Sequence, residues 1–246
     1  MDLLEVEAID VFYGDIQALR KVSLHVAQRE MVALIGANGA GKTTTLRTMS
    51  GLLAPRGGRI TFEGRPIQGL PAQEVVRRGI THLPEGRDLF PTLSVLENLK
   101  MGYWPKRTDR SGLRPALDHA MDLFPRLRER SSQAAGTLSG GEQQMLGVAR
   151  ALMSSPKLLV VDELSLGLAP LVVAQLFEVL KAVNGEGTAV LIVEQFVHMA
   201  LENTDRAYVL VKGEVATSGP SEALAKDPAL VESYLGGSTQ PVPAGV

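Results

Sequence analysis

Gly36-Ala37-Asn38-Gly39-Ala40-Gly41-Lys42-Thr43 constrains this chain more than any other stretch. It fits G-x-x-x-x-G-K-[ST] at every fixed position, and its flanks suit the pattern. Before it, Met31-Val32-Ala33-Leu34-Ile35 is a short apolar, β-rich run that predicts a buried strand. After it, Thr44-Thr45-Leu46-Arg47-Thr48-Met49 can continue as a helix. Strand, loop and helix make an anion cradle. The glycines let the backbone curl until its N–H groups converge on phosphate oxygens, and the helix adds the positive end of its dipole. In such a loop Lys42 carries a mobile charge to the β- and γ-phosphates, and the Thr43 hydroxyl ligates Mg²⁺. The cradle is therefore assigned to Gly36, Asn38, Gly39, Ala40, Gly41, Lys42, Thr43 and Thr44.

A second feature predicts the rest of a phosphate-hydrolysing site. Leu158-Leu159-Val160-Val161-Asp162-Glu163 is an apolar run ending in two acids, as in a parallel strand buried on both faces. Ligands of open α/β sheets bind at such strand ends. Asp162 is placed on the metal that Thr43 also touches, directly or through a water. Glu163, one residue further, is placed to polarise a water for in-line attack on the γ-phosphate.

Other elements follow from pattern. Residues 4–12 and Val22–Val26 read as early antiparallel strands, and Arg59–Gly64 as another. Pro71–Arg78 reads as a short helix, Gly79–Glu85 as a brief strand stopped by Pro84, and Ser94–Glu97 as a capping box. Residues 114–130 read as one helix. Pro170–Val183 shows one broad apolar face, Ala189–Val193 is a further buried strand, and 207–218 a hairpin. β signals fade between about 88 and 155, which predicts a helical subdomain inserted in an α/β core. Residues 1–236 are expected to form one domain and 237–246, rich in Gly, Pro, Ser and Thr, a flexible tail.

Composition narrows the chemistry. With no cysteine among 246 residues, disulfides, thiolate metal sites and cysteine catalysis are excluded. Lys and Arg number 25 against 27 Asp and Glu, so charge offers no argument for nucleic acid or anionic lipid. The N-terminus lacks the basic and apolar regions of a signal peptide, and no apolar run approaches bilayer length. Any membrane role is expected to come through a partner.

Leu138-Ser139-Gly140-Gly141-Glu142-Gln143-Gln144 opens a predicted helix with Met145, Val148, Ala149 and Leu152 as its apolar stripe. Ser139 and Glu142 have capping-box spacing. The two glycines between them lower helix propensity by about 1 kcal/mol each, which makes sense where something approaches the backbone closely. A helix start with free N–H groups and a serine hydroxyl is a second phosphate-binding end. Either the chain binds two ligands, or this half-site completes a nucleotide site in another copy.

The segments GANGAGKT, LSGGEQQ and LLVVDE, in this order and spacing, resemble those of the ATP-binding cassette (ABC) ATPases over residues 3 to about 236. The resemblance implies a P-loop NTPase with a RecA-like parallel-sheet core, an N-terminal antiparallel β subdomain and the helical insertion. It implies ATP and Mg²⁺ as ligands, and two cassettes packed head to tail. Ser139, Gly140, Gly141 and Glu142 of one chain then close over ATP held by the other, and Tyr13 stacks on the adenine.

Two positions depart from the general pattern: Glu85 stands where most cassettes have glutamine, and Gln195 where most have histidine. The resemblance places Gln195 as the γ-phosphate sensor and Glu85 as a metal or water contact. With Leu83-Pro84-Glu85-Gly86-Arg87, Ser165–Pro170, Val193-Glu194-Gln195 and Tyr234-Leu235-Gly236-Gly237, the chain looks like the LivF-type ATP-binding subunit of branched-chain amino acid importers. That resemblance implies a LivG-type second cassette or a homodimer copy, two integral-membrane permeases, an extracytoplasmic binding protein acting indirectly, and no nucleic acid. It implies a cytoplasmic place, peripheral on the inner face of the membrane. Another substrate (urea or amide import, lipopolysaccharide export) and a soluble, non-transport ABC ATPase stay open. Leu164 stands where cassettes usually carry proline, which predicts a more relaxed turn there.

Overall fold

The computed structural model describes residues 2–86 and 88–227; Arg87, the Tyr234–Gly237 segment and the expected tail lie outside them. The chain opens with a long hairpin of β1 (Asp2–Tyr13) and β2 (Ile16–Ala27), closed by the pair Tyr13 and Ile16. β2 runs well past the apolar piece seen in sequence and β1 slightly past its own, because antiparallel pairing carries polar residues outward to solvent. β3 (Met31–Ile35), buried at every position, leads into the glycine loop and α1 (Lys42–Met49). β4 (Gly57–Phe62) pairs with β1, and β5 (Arg65–Pro66) with β4, giving a four-stranded sheet in the order β2-β1-β4-β5.

α2 (Ala72–Arg78) stops at Gly79 and β6 (Ile80–Leu83) follows. Then come α3 (Val95–Gly102), α4 (Leu113–Leu123), α5 (Pro125–Glu129) and α6 (Gly140–Leu152). The single helix expected over 114–130 is in fact two. Pro125 disfavours helical backbone at the residue before it, and Phe124 sits at φ −131°, ψ 74°. The capping box of α3 is formed: Ser94 Oγ accepts from the Glu97 amide at 3.2 Å while the Ser94 amide donates to Glu97 Oε2 at 2.8 Å. α6 is buried more widely than one stripe, with Gln144, Leu146, Gly147 and Ala151 inside as well, because it packs on several sides.

β7 (Leu158–Asp162), α7 (Pro170–Gly185), β8 (Ala189–Glu194), α8 (Val197–Glu202), β9 (Arg206–Val211), β10 (Glu214–Pro220) and α9 (Ser221–Ala225) complete the described chain. The second sheet has the order β10-β9-β3-β8-β7-β6, parallel except for β10 against β9. This is an α/β fold with helices against a mainly parallel sheet and a separate antiparallel sheet. One core cluster joins one face of the parallel sheet to the helical stretch (Leu99, Phe124, Leu146 with Val161, Ile192) and to α7 through Leu176. The other joins the opposite face to α1 and the antiparallel sheet through Leu46, Ile9 and Phe62. Leu164 is fully buried in the first cluster, so its side chain packs the turn after β7 into the core. Among the described residues no helix is long and apolar enough to cross a membrane.

Candidate nucleotide site

Register brings the site together. Ile35 lies beside Glu194, Asp162 beside Val193, and Leu83 beside Val161. Because these strands are parallel, the loops after β3, β6, β7 and β8 leave from one edge of the sheet, where ligands of such sheets bind. Lys42, Thr43, Glu85, Asp162, Glu163 and Gln195 are thus gathered from four separate segments.

The glycine loop is fixed from below. A Cβ on Gly36 would stand 2.3 Å from the Leu210 carbonyl oxygen of β9, and Gly41, at φ 106°, would carry one 2.6 Å from Leu19 of β2. The Gly213 amide donates to the Ala40 carbonyl at 2.9 Å. No side chain caps α1, so its first-turn N–H groups face the loop without a protein acceptor from Gly41. Lys42, buried, donates to the carbonyls of Gly36 (2.9 Å) and Ala37 (3.2 Å). Burial lowers its pKa, opposed by the charges of Glu163, Asp162 and Glu194. A buried cation, free helix-start amides and a backbone curl that admits only glycine at Gly36 and Gly41 fit a polyphosphate.

The acids fit a hard cation. Thr43 Oγ1 donates to Asp162 Oδ1 at 3.4 Å. Asp162 is buried, and that burial pushes its carboxyl up to about 6; the Thr43 bond opposes the shift while the charges of Glu163 and Glu85 add to it. A divalent cation would relieve that mutual repulsion. Among the described residues no cluster of three or more His, Asp or Glu could hold a metal alone. The Thr43 hydroxyl and the Asp162 carboxylate are hard oxygen donors of the kind that suits Mg²⁺ shared with phosphate oxygens.

Glu163 adopts φ 50°, in the left-handed region that costs free energy for a non-glycine residue, as it does for seven others among the described residues. Its amide donates to the Val193 carbonyl at 3.0 Å, and its Oε1 accepts from Gln195 Nε2 at 2.7 Å. The amide expected at the γ-phosphate is thus engaged with the carboxylate expected to activate water. Glu163 and Glu85 line one cleft of about 530 Å³ with Gln143, Gln144 and Leu166. Tyr13, half exposed, sits at the tip of the hairpin whose Ala18–Leu19 segment lies against Gly41.

Ser139 is the N-cap of α6, its Oγ accepting from the Glu142 amide at 3.3 Å and donating to Glu142 Oε2 at 2.7 Å. Glu142 also pairs with Arg130 at 2.8 Å. A Cβ on Gly141 would meet Val172 of α7 at 3.0 Å, so α6 and α7 also approach closely there. Among the described residues no hydrogen bond joins 139–142 to 36–44. The two phosphate-binding ends remain separate in one chain.

Sequence reasoning missed Glu194. It ends a wholly buried strand and accepts from Ser165, Oγ to Oε2 at 2.6 Å and amide to Oε1 at 3.1 Å. An acid closing the run Ala189–Val193 was the available signal, since a carboxylate at such depth needs donors. Burial pushes its carboxyl up from 4.5 to about 7; bonds from Ser165 and from the Gln195 amide oppose this, and the Glu163 charge adds to it. Lys42 is the cation facing it. The folded state therefore binds the proton more tightly than the unfolded one. This contribution to stability is complete below about 4.5 and lost as pH rises through about 7. Glu194→Gln removes the titration, so its Tm should change less between pH 5 and 8 than the wild-type Tm. Parallel Tm–pH curves would contradict the assignment.

Comparison with known proteins identifies the family. The family model for ABC transporters matches residues 19–165. The chain is 47% identical over 235 residues to the high-affinity branched-chain amino acid transport ATP-binding protein BraG of Pseudomonas aeruginosa, covering 96% of this chain and 100% of that one. It is 35% identical to the probable branched-chain amino acid transport ATP-binding protein LivF of Archaeoglobus fulgidus, over 90% of this chain and 94% of the other. A crystal structure of an ATP-binding cassette of an ABC transporter in its ADP conformation superposes with a TM-score of 0.85 at 27% identity, covering 96% of this chain and 99% of that one.

Proposed function

The chain belongs to the ABC transporter family, and on that premise we propose that it powers import of branched-chain or related hydrophobic amino acids through a membrane transporter. It is an ATPase. The observation that carries the substrate reading is its full-length likeness to BraG.

Lys42 and the first-turn amides of α1 hold the phosphates, and Tyr13 stacks on the adenine by its aromatic face. Thr43, Asp162 and Glu85 would hold Mg²⁺, which when bound neutralises charge between the β- and γ-phosphate oxygens. Glu163 orients the attacking water and takes its proton, and Gln195 holds Glu163 in place. Ser139, Gly140, Gly141 and Glu142 close the site of a second cassette, LivG-type or a second copy of this chain. For that the Ser139 hydroxyl turns away from Glu142 towards phosphate. The pair sits on the cytoplasmic side beneath two permeases, fed indirectly by an extracytoplasmic binding protein. The helical stretch from about 88 to 155 is read as the insertion within a single cassette.

The test is uptake of labelled leucine, isoleucine and valine by cells whose only copy carries Lys42→Ala. Uptake should be lost; uptake at the wild-type rate would contradict the proposal. A second prediction concerns Gln195. Its bond goes to Glu163, so Gln195→His should leave ATP affinity within about twofold, since imidazole also donates. Titration with a fluorescent ATP analogue checks this, and a tenfold loss would place Gln195 on the nucleotide itself.

A further inference from the structure

The ends of β7 and β8 lie side by side, and two reciprocal side-chain links cross between the loops that follow. Gln195, one residue past β8, donates to Glu163, one residue past β7, at 2.7 Å. In return Ser165 donates twice to Glu194, the last residue of β8, through its hydroxyl at 2.6 Å and its amide at 3.1 Å. The Glu163 amide adds a bond to Val193 at 3.0 Å.

These links lie at different depths. Glu194 is 1% exposed and Ser165 5%, whereas Leu166, the next residue, is 47% exposed. Ser165 is therefore the last anchored point before the chain leaves the core. Burying a carboxylate is costly unless its oxygens accept hydrogen bonds, and here one carboxylate grips both the backbone and the side chain of a single residue. Two residues upstream, Glu163 is held at φ 50°, a conformation that persists only where its surroundings over-determine it. The grip on Ser165, the bond to Val193 and the burial of Leu164 are those surroundings.

We propose that Glu194 is a positioning residue for ATP hydrolysis: by gripping Ser165 it holds the 163–165 turn in the strained form that keeps Glu163 paired with Gln195. The inference rests on the reading of Glu163 as the group that activates water. It separates two properties: among the described residues no hydrogen bond runs from this grip to the phosphate loop on β3 and α1, and Ser165→Ala cuts the grip while leaving in place the Glu194 charge that faces Lys42.

The test is a double-mutant cycle on the full chain with Glu194→Gln, Ser165→Ala and the pair. kcat and KM for ATP are measured at saturating Mg²⁺, with active protein counted by bound fluorescent ATP analogue. Each single variant should lower kcat about tenfold with KM within about twofold, because a small misplacement of a catalytic group costs rate and not binding. The pair should be no slower than the slower single variant, because both changes cut one link. A kcat within about twofold of wild type in Glu194→Gln overturns the proposal, as do losses that multiply in the pair or a KM that rises in step with the fall in kcat. If Glu194→Gln shows no cooperative melt, Ser165→Ala decides alone: a lower kcat at constant KM supports the grip, and an unchanged kcat overturns it. Wild-type protein that binds ATP and releases no phosphate would strike the ATPase reading itself, and this inference would fall with it. Active wild type with indifferent variants strikes Glu194 only.

Discussion

Glu163→Gln should lower ATP turnover by about 10²–10⁴-fold, the range a positioned general base contributes, while ATP stays bound. The side chain keeps its length and an oxygen that can still accept from Gln195, as Glu163 Oε1 does at 2.7 Å. The left-handed turn at φ 50° and the amide bond to Val193 belong to the backbone and survive the change. What disappears is the capacity to take a proton from water. Lys42, Thr43 and the first turn of α1 are untouched, so nucleotide affinity should hold, and a dimer closed on ATP should accumulate because the step that opens it no longer occurs. Phosphate release and size-exclusion chromatography with ATP read both effects. Hydrolysis at the wild-type rate would mean that another group serves as the base.

Gly36→Ala should damage both folding and binding. The new methyl would lie 2.3 Å from the Leu210 carbonyl oxygen and 3.1 Å from Ala40 Cβ. The first contact is with backbone of β9, which pairs with β3 through Val32, Ala33, Leu34 and Ile35 and cannot withdraw without loosening that pairing. Overpacking of this kind costs about 1–3 kcal/mol. In a chain of this size that is a Tm lower by roughly 2–12 °C. The loop must shift to admit the methyl, and its N–H groups then lose their convergence, so ATP affinity should fall by about tenfold or more. Gly185→Ala is the control. Nothing lies within 4 Å of its Cβ position in α7, and alanine there should be neutral or stabilising by up to about 1 kcal/mol. Equal melting temperatures for Gly36→Ala and wild type would contradict the packing described for the loop.

The parts of the site that could be read from sequence are those whose chemistry is written in contiguous residues. Gly36 to Thr43 fixes strand, loop and helix within one short segment, and Asp162 with Glu163 ends a short apolar run that reads as a buried strand and is one. The alternation of β1 and β2 and the capping boxes at Ser94 and Ser139 are likewise local. What could not be read depends on register. Gln195 meets Glu163, and Glu194 meets Ser165, because β7 and β8 pair in parallel with Asp162 opposite Val193. No local pattern specifies that offset. The break at Phe124 was legible from Pro125, but the apolar residues on either side continue a helical period across it and mask the signal. Gly141 has a second neighbour that the sequence does not show: a Cβ there would meet Val172 of α7 at 3.0 Å.

The transport role depends most directly on the company the chain keeps. The measurement is to solubilise native membranes in mild detergent, recover this chain with everything that holds it, and identify the associated proteins. Recovery with two hydrophobic permeases and a second ATP-binding subunit is the expected result. Recovery with ribosomes or DNA, or alone from the soluble fraction, would contradict the transport reading while leaving the ATPase chemistry in place.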